Sequence, residues 1–396
     1  MKKEVLFISG SIGLGHVARD LAIARELKKQ NPDINISWLA GEPAARLIRE
    51  SGELLLDESM ELGEDSGCAE KISNGYQMNI NKYLFTVLLE WRKSINVLRR
   101  ITKHKKFDLI IGDETYELII AFLLNPLMKK SPFVMIYDFI GIEPTTKNIF
   151  EKIGTYIWNV AWVLGNRASW VEDLSLFVGD VGDVPNRSFG LFLPNYRKHV
   201  DKHYKFLGNI LPYNPKDYMN QNEMKEKLGY QKKPLIVCAI GGTSIGIDLL
   251  NLCCQSYKIL KNKIPDLQML LVCGPRIDPK TLDLVDGIEV RGYVPRLYEH
   301  FAACDMAIVQ GGGTTTMELV SLNKNFVYFP LEGHFEQKVV ADKLIKIGAG
   351  VKMNFSETDE KILAEKVLET ITKDAKSNVI SVEGAVIAAN LIQKFL

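Results

Sequence analysis

The chain has 396 residues, of which 46% are hydrophobic and 24% are charged. The 49 Lys and Arg residues nearly balance the 48 Asp and Glu residues, and the formal charge of +1 gives no whole-molecule field for nucleic acid. This length favours two domains over one compact core, and the composition is typical of a soluble globular protein and excludes a dedicated nucleic-acid binder.

The first apolar run, residues 5–8, stops at Ser9 and Gly10 and is too short for a signal peptide. No uninterrupted apolar run of about 18 residues follows, so no membrane span is expected. The cysteines form no Cys-x-x-Cys pair, which favours reduced core thiols over a zinc site. We therefore expect a cytoplasmic protein. The six cysteines are Cys68, Cys238, Cys253, Cys254, Cys273 and Cys304.

The N-terminal half repeats a buried strand, a loop and a helix. Residues 5–8 run into a glycine-rich loop that includes Gly15 and ends at His16, and apolar residues then recur at helical spacing. Further buried strands are expected at residues 34–39, 109–111, 133–136 and 176–178. Alternating strands and helices predict a doubly wound parallel sheet.

The C-terminal half starts this pattern again after a segment rich in Gly and Pro around Leu207. Its strands are expected at residues 235–240, 267–272, 288–290, 306–309 and 326–329. The sequence therefore predicts an α/β fold of two Rossmann-like domains, at residues 1–207 and 208–375. Residues 376–396 form a separate C-terminal helical segment.

Three successive glycines, Gly311, Gly312 and Gly313, lie between a buried strand and a helix that opens at residues 314–316. Glycines allow a ligand to approach the backbone closely, and a helix start offers unpaired N–H groups to an anion. We expect a phosphate or diphosphate here. Thr314 and Thr315 would contribute to it, although simple helix capping is the alternative interpretation.

The order of these residues resembles the donor-binding core of GT-B glycosyltransferases, above all the MurG-like enzymes that use a UDP-sugar. The resemblance rests on the glycine turn, Glu318, Pro330 and the Glu336-Gln337 pair, in order and at spacing. It implies two Rossmann-like domains facing each other across a cleft, with the final helix crossing back to the N-terminal domain. Relatives often carry His or Arg where this chain has Gln310.

The same resemblance implies the roles of the donor-binding residues. Glu318 would hold the nucleotide ribose, and Glu336 and Gln337 would hold the sugar hydroxyls from a polar loop. The loop with Gly241, Gly242 and Thr243 would grip the diphosphate from a second side, and backbone groups of Val294 would lie at the base edge. An ordinary turn is the alternative for Val294.

His16 is the candidate catalytic base, because imidazole titrates near neutrality without further adjustment. In many inverting GT-B enzymes a histidine in this loop is the base, and an aspartate after a later strand orients it. That aspartate corresponds to Asp113. No Asp-x-Asp metal motif is present, so we expect no metal and no cofactor, with the UDP-sugar as donor substrate.

Two segments of the N-terminal half are candidates for an acceptor or membrane surface. Residues 76–100 mix aromatic and basic side chains, and residues 149–171 interleave Tyr156, Trp158, Trp162 and Trp170 with few charges. Such helices can lie in a bilayer interface and contact anionic lipid. The alternative is an ordinary amphipathic helix with Trp in the core. A small molecule and a lipid both stay open as acceptor.

The predicted function is an inverting, metal-independent glycosyltransferase that moves a sugar from a UDP-sugar to an acceptor hydroxyl. A UDP-sugar hydrolase or hydrolysing epimerase of the same fold is one alternative, and a binding module without catalysis is another. A nicotinamide oxidoreductase is a third, since residues 13–18 fit Gly-x-Gly-x-x-Ala and Glu42 follows the second strand.

Overall fold

The computed structural model describes residues 2–10, 14–62, 73–74, 77–78, 80–144, 147–168, 170–242, 244–373, 375 and 380–396, with the backbone alone for 73–90 and 167. The described chain divides into two units. The first extends to Pro212 and also includes Ser381–Leu396. The second comprises Tyr213–Ile380 and two short strands that precede residue 79.

The strands lie in two parallel sheets and one short antiparallel pair. In chain order they are β1 (Lys3–Ile8), β2 (Ile34–Leu39), β3 (Leu54–Leu55), β4 (Ser73–Asn74), β5 (Gln77–Met78), β6 (Leu109–Asp113), β7 (Phe133–Tyr137), β8 (Leu174–Phe177), β9 (Lys205–Phe206), β10 (Leu235–Ala239), β11 (Gln268–Val272), β12 (Ile288–Arg291), β13 (Met306–Gln310), β14 (Asn325–Phe329) and β15 (Val351–Lys352).

Helices connect most of these strands. They are α1 (Gly15–Gln30), α2 (Ala44–Glu50), α3 (Ile80–His104), α4 (Tyr116–Leu124), α5 (Ile149–Arg167), α6 (Tyr196–His203), α7 (Gln221–Lys227), α8 (Ile247–Lys263), α9 (Leu297–Ala303), α10 (Gly313–Ser321), α11 (Phe335–Ile347), α12 (Glu360–Ile371) and α13 (Gly384–Ile392). Short 3-10 helices lie at Asp57–Glu61, Pro126–Met128, Val181–Asp183, Pro215–Tyr218, Pro279–Thr281, Phe355–Glu357 and Gln393–Phe395.

The first unit is built on a seven-stranded sheet of order β3-β2-β1-β6-β7-β8-β9. Successive residues of β1 alternate between its two faces. Phe7 belongs to the core on one side and stacks on Trp38 at 4.5 Å, whereas Leu6 belongs to the core on the other side. Both faces of the sheet are therefore covered, as expected for strands with continuous apolar sequence.

The last helix, α13, packs on α1 within the first unit. Its small side chains Ala385, Ala388 and Ala389 are buried in the same core as Leu27, and a side chain at Gly384 would collide with the backbone of Leu207. Small residues on this face allow the two helices to approach closely.

The second unit is built on a six-stranded sheet of order β12-β11-β10-β13-β14-β15. Its core includes Val237, Val309 and Tyr328 from the central strands. In both sheets the first strand pairs with the fourth strand in chain order, β1 with β6 and β10 with β13. This arrangement places a topological switch point, where α/β proteins bind ligands, at the carboxyl ends of these strand pairs.

The predicted fold class is confirmed, with two parallel α/β sheets and strands close to the expected ranges. The two-residue strands β3, β9 and β15 were not predicted, because two residues give no periodic signal. Five cysteines are buried free thiols, and Cys68 lies outside the described residues. Within the described chain, no helix combines the length and the apolar character needed to cross a membrane.

Candidate functional site

Each unit carries a candidate site at its switch point. In the first unit, α1 begins at Gly15 immediately before His16, whose ring is buried with 8% of the residue exposed. Asp113 is the last residue of β6 and is fully buried. Because β1 and β6 are parallel neighbours, the residues that follow one strand meet those that end the other. His16 Nδ1 lies 3.3 Å from Asp113 Oδ2.

Arg19 completes this site, which we call the imidazole site (His16, Arg19, Asp113 and Asp138). Its guanidinium donates from Nε to Asp113 Oδ2 at 3.0 Å and from Nη2 to Asp113 Oδ1 at 2.5 Å. It also donates from Nη1 to Asp138 Oδ2 at 2.9 Å. This bidentate pairing with one carboxylate, extended to a second, holds two buried negative charges with one cation.

Sequence reasoning missed Arg19 and Asp138. Asp138 directly follows β7 and therefore lies at the same sheet edge as Asp113, whose register partner in β7 is Ile136. The sequence signal that could have identified Asp138 is the presence of an acidic residue at or directly after the end of each of two adjacent strands, Asp113 for β6 and Asp138 for β7. Arg19, three residues after His16, lies on the same face of α1, which the helical repeat could have indicated.

The charged groups of this site shift the pKa values of the carboxyl groups in and beside it. Burial would raise the pKa of Asp113, but Arg19 and the neighbouring His16 lower it below its ordinary value. The pKa of Asp138 is also lowered against the effect of burial, with Arg19 as the main cause. Burial and the neighbouring Asp138 raise the pKa of Glu114 well above its usual range. Burial therefore favours the protonated form of Glu114, whereas Arg19 favours the ionised forms of the two aspartates.

Ligand atoms of His16, Glu114 and Asp138 lie within 4.8 Å of one another, which is the spacing of a possible cation site. The guanidinium of Arg19 already supplies a cation to Asp138 Oδ2. A divalent ion beside this group would meet like-charge repulsion in a buried environment. The cluster therefore already contains one cation, the guanidinium of Arg19.

Glu42, the ribose-binding residue of the oxidoreductase alternative, has other partners. Its carboxylate accepts from the backbone N–H of Arg46 at 3.2 Å and from the guanidinium of Arg49. Gly13, which begins the dinucleotide fingerprint, lies outside the described residues. The pairing of Glu42 removes one of the two observations that favoured that alternative.

In the second unit, the glycine site comprises residues 311–313 after β13 and the start of α10. The N-cap of α10 is Gly312, and helix geometry leaves the N–H groups of its first turn without intrahelical acceptors. Thr314 and Thr315 lie in this turn and are half-buried. Because the N-cap is Gly312 and makes no side-chain cap hydrogen bond, neither threonine is the capping residue, and that alternative interpretation is wrong. A side chain at Gly311 would approach Pro330 to 3.0 Å.

Glu318 lies in the second turn of α10, and only 8% of it is exposed. Burial raises the pKa of its carboxyl to about 8. Among the described residues, no hydrogen bond or ion pair reaches this carboxyl; the one nearby bond, from Ser321 Oγ at 2.7 Å, goes to the Glu318 backbone carbonyl. A buried acid without a partner is costly unless a ligand supplies one.

Gln310, where relatives often carry a cationic residue, supports the loop of residues 241–246. Its Oε1 accepts from the Gly241 N–H at 3.3 Å, and its Nε2 donates to the Ile245 carbonyl. Gly246 has φ +144°, and a side chain there would lie 2.7 Å from Gln310 Nε2. This amide therefore holds the second glycine loop beside β13. Gly242 lies in the same loop, and Thr243 lies outside the described residues.

Glu336 and Gln337 were predicted in a loop, but both lie in the first turn of α11, which begins at Phe335. His334 caps this helix, because its Nδ1 accepts a hydrogen bond from the backbone N–H of Gln337 at 3.4 Å. Gln337 is buried, and its Oε1 accepts from the Leu331 N–H at 2.7 Å. A Cβ atom added at Gly311 would lie 3.4 Å from Gln337 Oε1, so Gln337 adjoins the glycine turn.

Val294 follows β12, the edge strand of the second sheet, and its side chain packs in the core of the unit with 9% of the residue exposed. The structure therefore gives the Val294 side chain a packing role. Its predicted contact with a base would use the backbone alone.

Comparison with known proteins identifies the class. Residues 236–389 match the family model described as the glycosyltransferase family 28 C-terminal domain. An uncharacterized glycosyltransferase of Methanosarcina mazei is 24% identical over 372 residues, covering 91% of this chain and 89% of that protein. These findings support a glycosyltransferase.

Two further matches are to a curated transferase and to a solved structure. The UDP-N-acetylglucosamine--N-acetylmuramyl-(pentapeptide) pyrophosphoryl-undecaprenol N-acetylglucosamine transferase of Thermosipho africanus is 27% identical over 157 residues, covering 39% of this chain and 44% of that protein. The crystal structure of Acinetobacter baumannii MurG superposes with a TM-score of 0.53 at 17% identity, covering 100% of both chains. The resemblance to the MurG-like GT-B glycosyltransferases is confirmed.

Proposed function

We propose that this glycosyltransferase moves a sugar from a UDP-sugar to an acceptor hydroxyl, with inversion at the anomeric carbon and without a metal ion. The observation that carries the proposal is Glu318, a buried carboxyl that follows the glycine turn and has no hydrogen bond or ion pair within the described part of the chain. Ribose hydroxyls are the partners that such a carboxyl lacks. The helix start before it offers N–H donors to the adjoining diphosphate.

The leaving group explains why those donors matter. When the bond between the sugar and the diphosphate breaks, negative charge develops on the phosphate oxygen. N–H groups of the first turn of α10, fixed before the reaction, stabilise that charge in the transition state. Gln310 contributes indirectly, because it holds the second glycine loop in place.

His16 is proposed as the general base. Its imidazole takes the proton of the acceptor hydroxyl while the acceptor oxygen bonds to the anomeric carbon and the bond to UDP breaks on the opposite face. The opposed faces of attack and departure give inversion. Asp113, 3.3 Å from Nδ1, stabilises the imidazolium that forms.

A UDP-sugar screen tests the donor. We expect release of UDP from at least one UDP-sugar when acceptor is present, and no loss of activity when EDTA is added. Release at the same rate without any acceptor would identify a hydrolase instead. UDP at a hundred times its dissociation constant should stabilise the fold by about 2.7 kcal/mol, whereas NADH should leave the melting temperature unchanged. Stabilisation by NADH alone would overturn the proposal.

We further propose a lipid-linked acceptor, reached by peripheral contact with an anionic membrane. The Thermosipho relative is named for a pyrophosphoryl-undecaprenol acceptor. In this chain, α5 exposes Ile149, Phe150, Ile153 and Ile157, with Phe150 at 76% exposure. Phe192 is 94% exposed in a loop that Tyr156 of α5 holds through the Leu191 carbonyl at 3.0 Å.

This apolar surface, defined by Ile149, Phe150, Ile153, Ile157 and Phe192, has exposed basic neighbours in Lys147 and Lys152. Apolar side chains beside Lys are suited to the interface of an anionic bilayer. Trp162 does not belong to the surface, because it is 9% exposed and hydrogen-bonds Tyr204. The aromatic-core interpretation therefore holds for Trp162, and the membrane proposal concerns the opposite side of α5. Side chains of residues 76–90 lie outside the described part.

Liposome co-sedimentation tests the membrane contact. We expect sedimentation with vesicles of phosphatidylcholine and phosphatidylglycerol, weaker sedimentation with phosphatidylcholine alone, and loss of both in a Phe150→Asp, Phe192→Asp double variant. Leu284→Asp, an exposed apolar position of the second unit, is the control. Equal sedimentation of the double variant and the control would remove this surface as the contact.

A further inference from the structure

The two ring nitrogens of His16 face different groups. Nδ1 lies 2.8 Å from Nη2 of Arg19 and 3.3 Å from Oδ2 of Asp113. Nε2 lies 3.6 Å from Oδ2 of Asp138. The shortest contact of the imidazole is therefore with a cation, and not with either carboxylate.

This contact determines where the ring proton lies. A guanidinium carries N–H donors and has no acceptor, so Nη2 can only donate. A donor at 2.8 Å requires the lone pair of Nδ1, which leaves the proton of the neutral ring on Nε2, beside Asp138. A base that acts through Nε2 needs the opposite tautomer, with its proton on Nδ1 facing Asp113.

We propose that Arg19 is a positioning residue that holds the neutral His16 imidazole in its Nε2–H tautomer, so that His16 becomes a competent base only when Arg19 releases Nδ1. The consequence for catalysis rests on the proposed function, whereas the tautomer does not. In the released form Nδ1–H donates to Asp113, which already lies 3.3 Å away. The two forms therefore differ in the position of the ring proton and in the partner of Nδ1, which is Arg19 in one form and Asp113 in the other.

The surroundings make Arg19 a fixed donor. Only 5% of the residue is exposed, and its three guanidinium nitrogens are all engaged by Asp113, Asp138 or His16. Nη2 has two hydrogens and can therefore donate to Asp113 Oδ1 and His16 Nδ1 together. Breaking the contact with the imidazole leaves the bonds to both carboxylates in place.

Charged groups on three elements act on the ring. Burial and Arg19, on the same helix, lower the pKa of His16, whereas Asp113 at the end of β6 and Asp138 after β7 raise it, with a raised pKa as the balance. Glu114 is the fourth titratable neighbour, and burial and Asp138 raise its pKa. The imidazolium needs both N–H groups, so protonation of His16 and its contact with Arg19 exclude each other.

Nitrogen-15 NMR of the full chain, labelled at its six histidines, measures the tautomer directly. The His16 signals are those absent from a His16→Gln variant. At alkaline pH, where the ring is neutral, we expect an unprotonated Nδ1 and a protonated Nε2. A protonated Nδ1 in the wild-type protein would overturn the inference.

Arg19→Lys is the sharper test, because lysine keeps the charge and loses the forked donor. We expect the Nδ1–H tautomer to rise several-fold relative to wild type. Arg25→Lys, on the same helix, should leave the His16 signals unchanged. An Arg19→Lys protein that folds with the wild-type tautomer would show a structural role only and overturn the inference. If this variant does not fold, the wild-type spectrum decides alone.

The outcomes separate this inference from the proposed function. A wild-type Nε2–H tautomer that shifts in Arg19→Lys supports the inference even if no UDP-sugar is consumed. A protonated Nδ1 in an active glycosyltransferase would remove the role of Arg19 and leave His16 as base.

Discussion

The imidazole site and the glycine site occupy equivalent switch points of two sheets with the same strand pattern. The first consists of charged side chains, whereas the second consists mainly of backbone groups. In the first unit four charged or titratable side chains bond to one another, and Arg19 alone engages two carboxylates. In the second, a glycine turn leads into a helix that carries Glu318, whose carboxyl has no hydrogen bond or ion pair among the described residues. In the first site Arg19 pairs with both carboxylates, and Asp138 Oδ1 is the buried site atom left without a hydrogen-bond partner among the described residues. In the second, the N–H donors and the acid stay available for a ligand.

This difference is consistent with different tasks. A proton-transfer group must be held in a defined orientation and charge state, which a network of fixed partners achieves. A site for a diphosphate and a ribose needs donors and acceptors that stay available until the ligand arrives. Substitutions in the two sites should therefore affect different measurements, turnover in the first and donor affinity in the second.

The largest effect is expected for His16→Ala. Removal of a general base typically costs 10²–10⁴-fold in rate, so kcat should fall by about this factor while the affinity for UDP changes little. Steady-state kinetics and calorimetric titration with UDP measure the two quantities. His104→Ala, at an exposed position of α3, is the control. A His16→Ala enzyme with full turnover would remove the imidazole as base.

Glu318→Ala should have the converse profile. A hydrogen bond between neutral partners contributes about 0.5–1.5 kcal/mol, so loss of two bonds to the ribose hydroxyls should lower UDP affinity by roughly 5- to 150-fold. The signals of the His16 ring should stay unchanged, because Glu318 belongs to the other unit. Glu365→Ala, exposed on α12, controls for loss of a surface carboxylate. Unchanged UDP affinity would mean that the carboxyl does not meet the ribose.

The two sites were also predictable to different degrees. The glycine turn and Glu318 follow one another in the chain, so strand, turn and helix could be read from local sequence. The imidazole site joins residues 16, 19, 113 and 138, and its pairing depends on which strands are neighbours. His16 and Asp113 were predicted through the resemblance. Arg19 and Asp138 were not, because their partners lie about 100 residues away in the chain.

The pH dependence of stability should reveal the unpartnered acid of the glycine site. The folded-state pKa of Glu318 is raised to about 8, so the folded protein keeps a proton that the unfolded chain loses at lower pH. The stability from this proton is complete below the unfolded pKa and is lost as pH rises through about 8. Glutamine cannot ionise and avoids this loss.

Glu318→Gln should therefore melt at a higher temperature than wild type, by a few degrees at about pH 9 and by little or nothing at about pH 4. Scanning calorimetry at both values measures the difference, with Glu365→Gln as the control. A melting difference that does not grow with pH would show that the Glu318 carboxyl is ionised, and thus partnered, in the folded protein.

The smallest effect is expected for Gln310→Leu, which distinguishes support of a ligand loop from direct contact with the ligand. The Gln310 amide bonds only to the backbone of Gly241 and Ile245 among the described residues, and loss of such bonds costs about 0.5–1.5 kcal/mol each. UDP affinity should fall a few-fold, with kcat almost unchanged. Gln255→Leu, exposed on α8, is the control. A loss beyond a hundred-fold would place Gln310 in contact with the phosphates, whereas no loss would show that the second glycine loop keeps its conformation without the amide. The few-fold result alone fits a site in which the backbone binds the ligand and side chains hold the backbone.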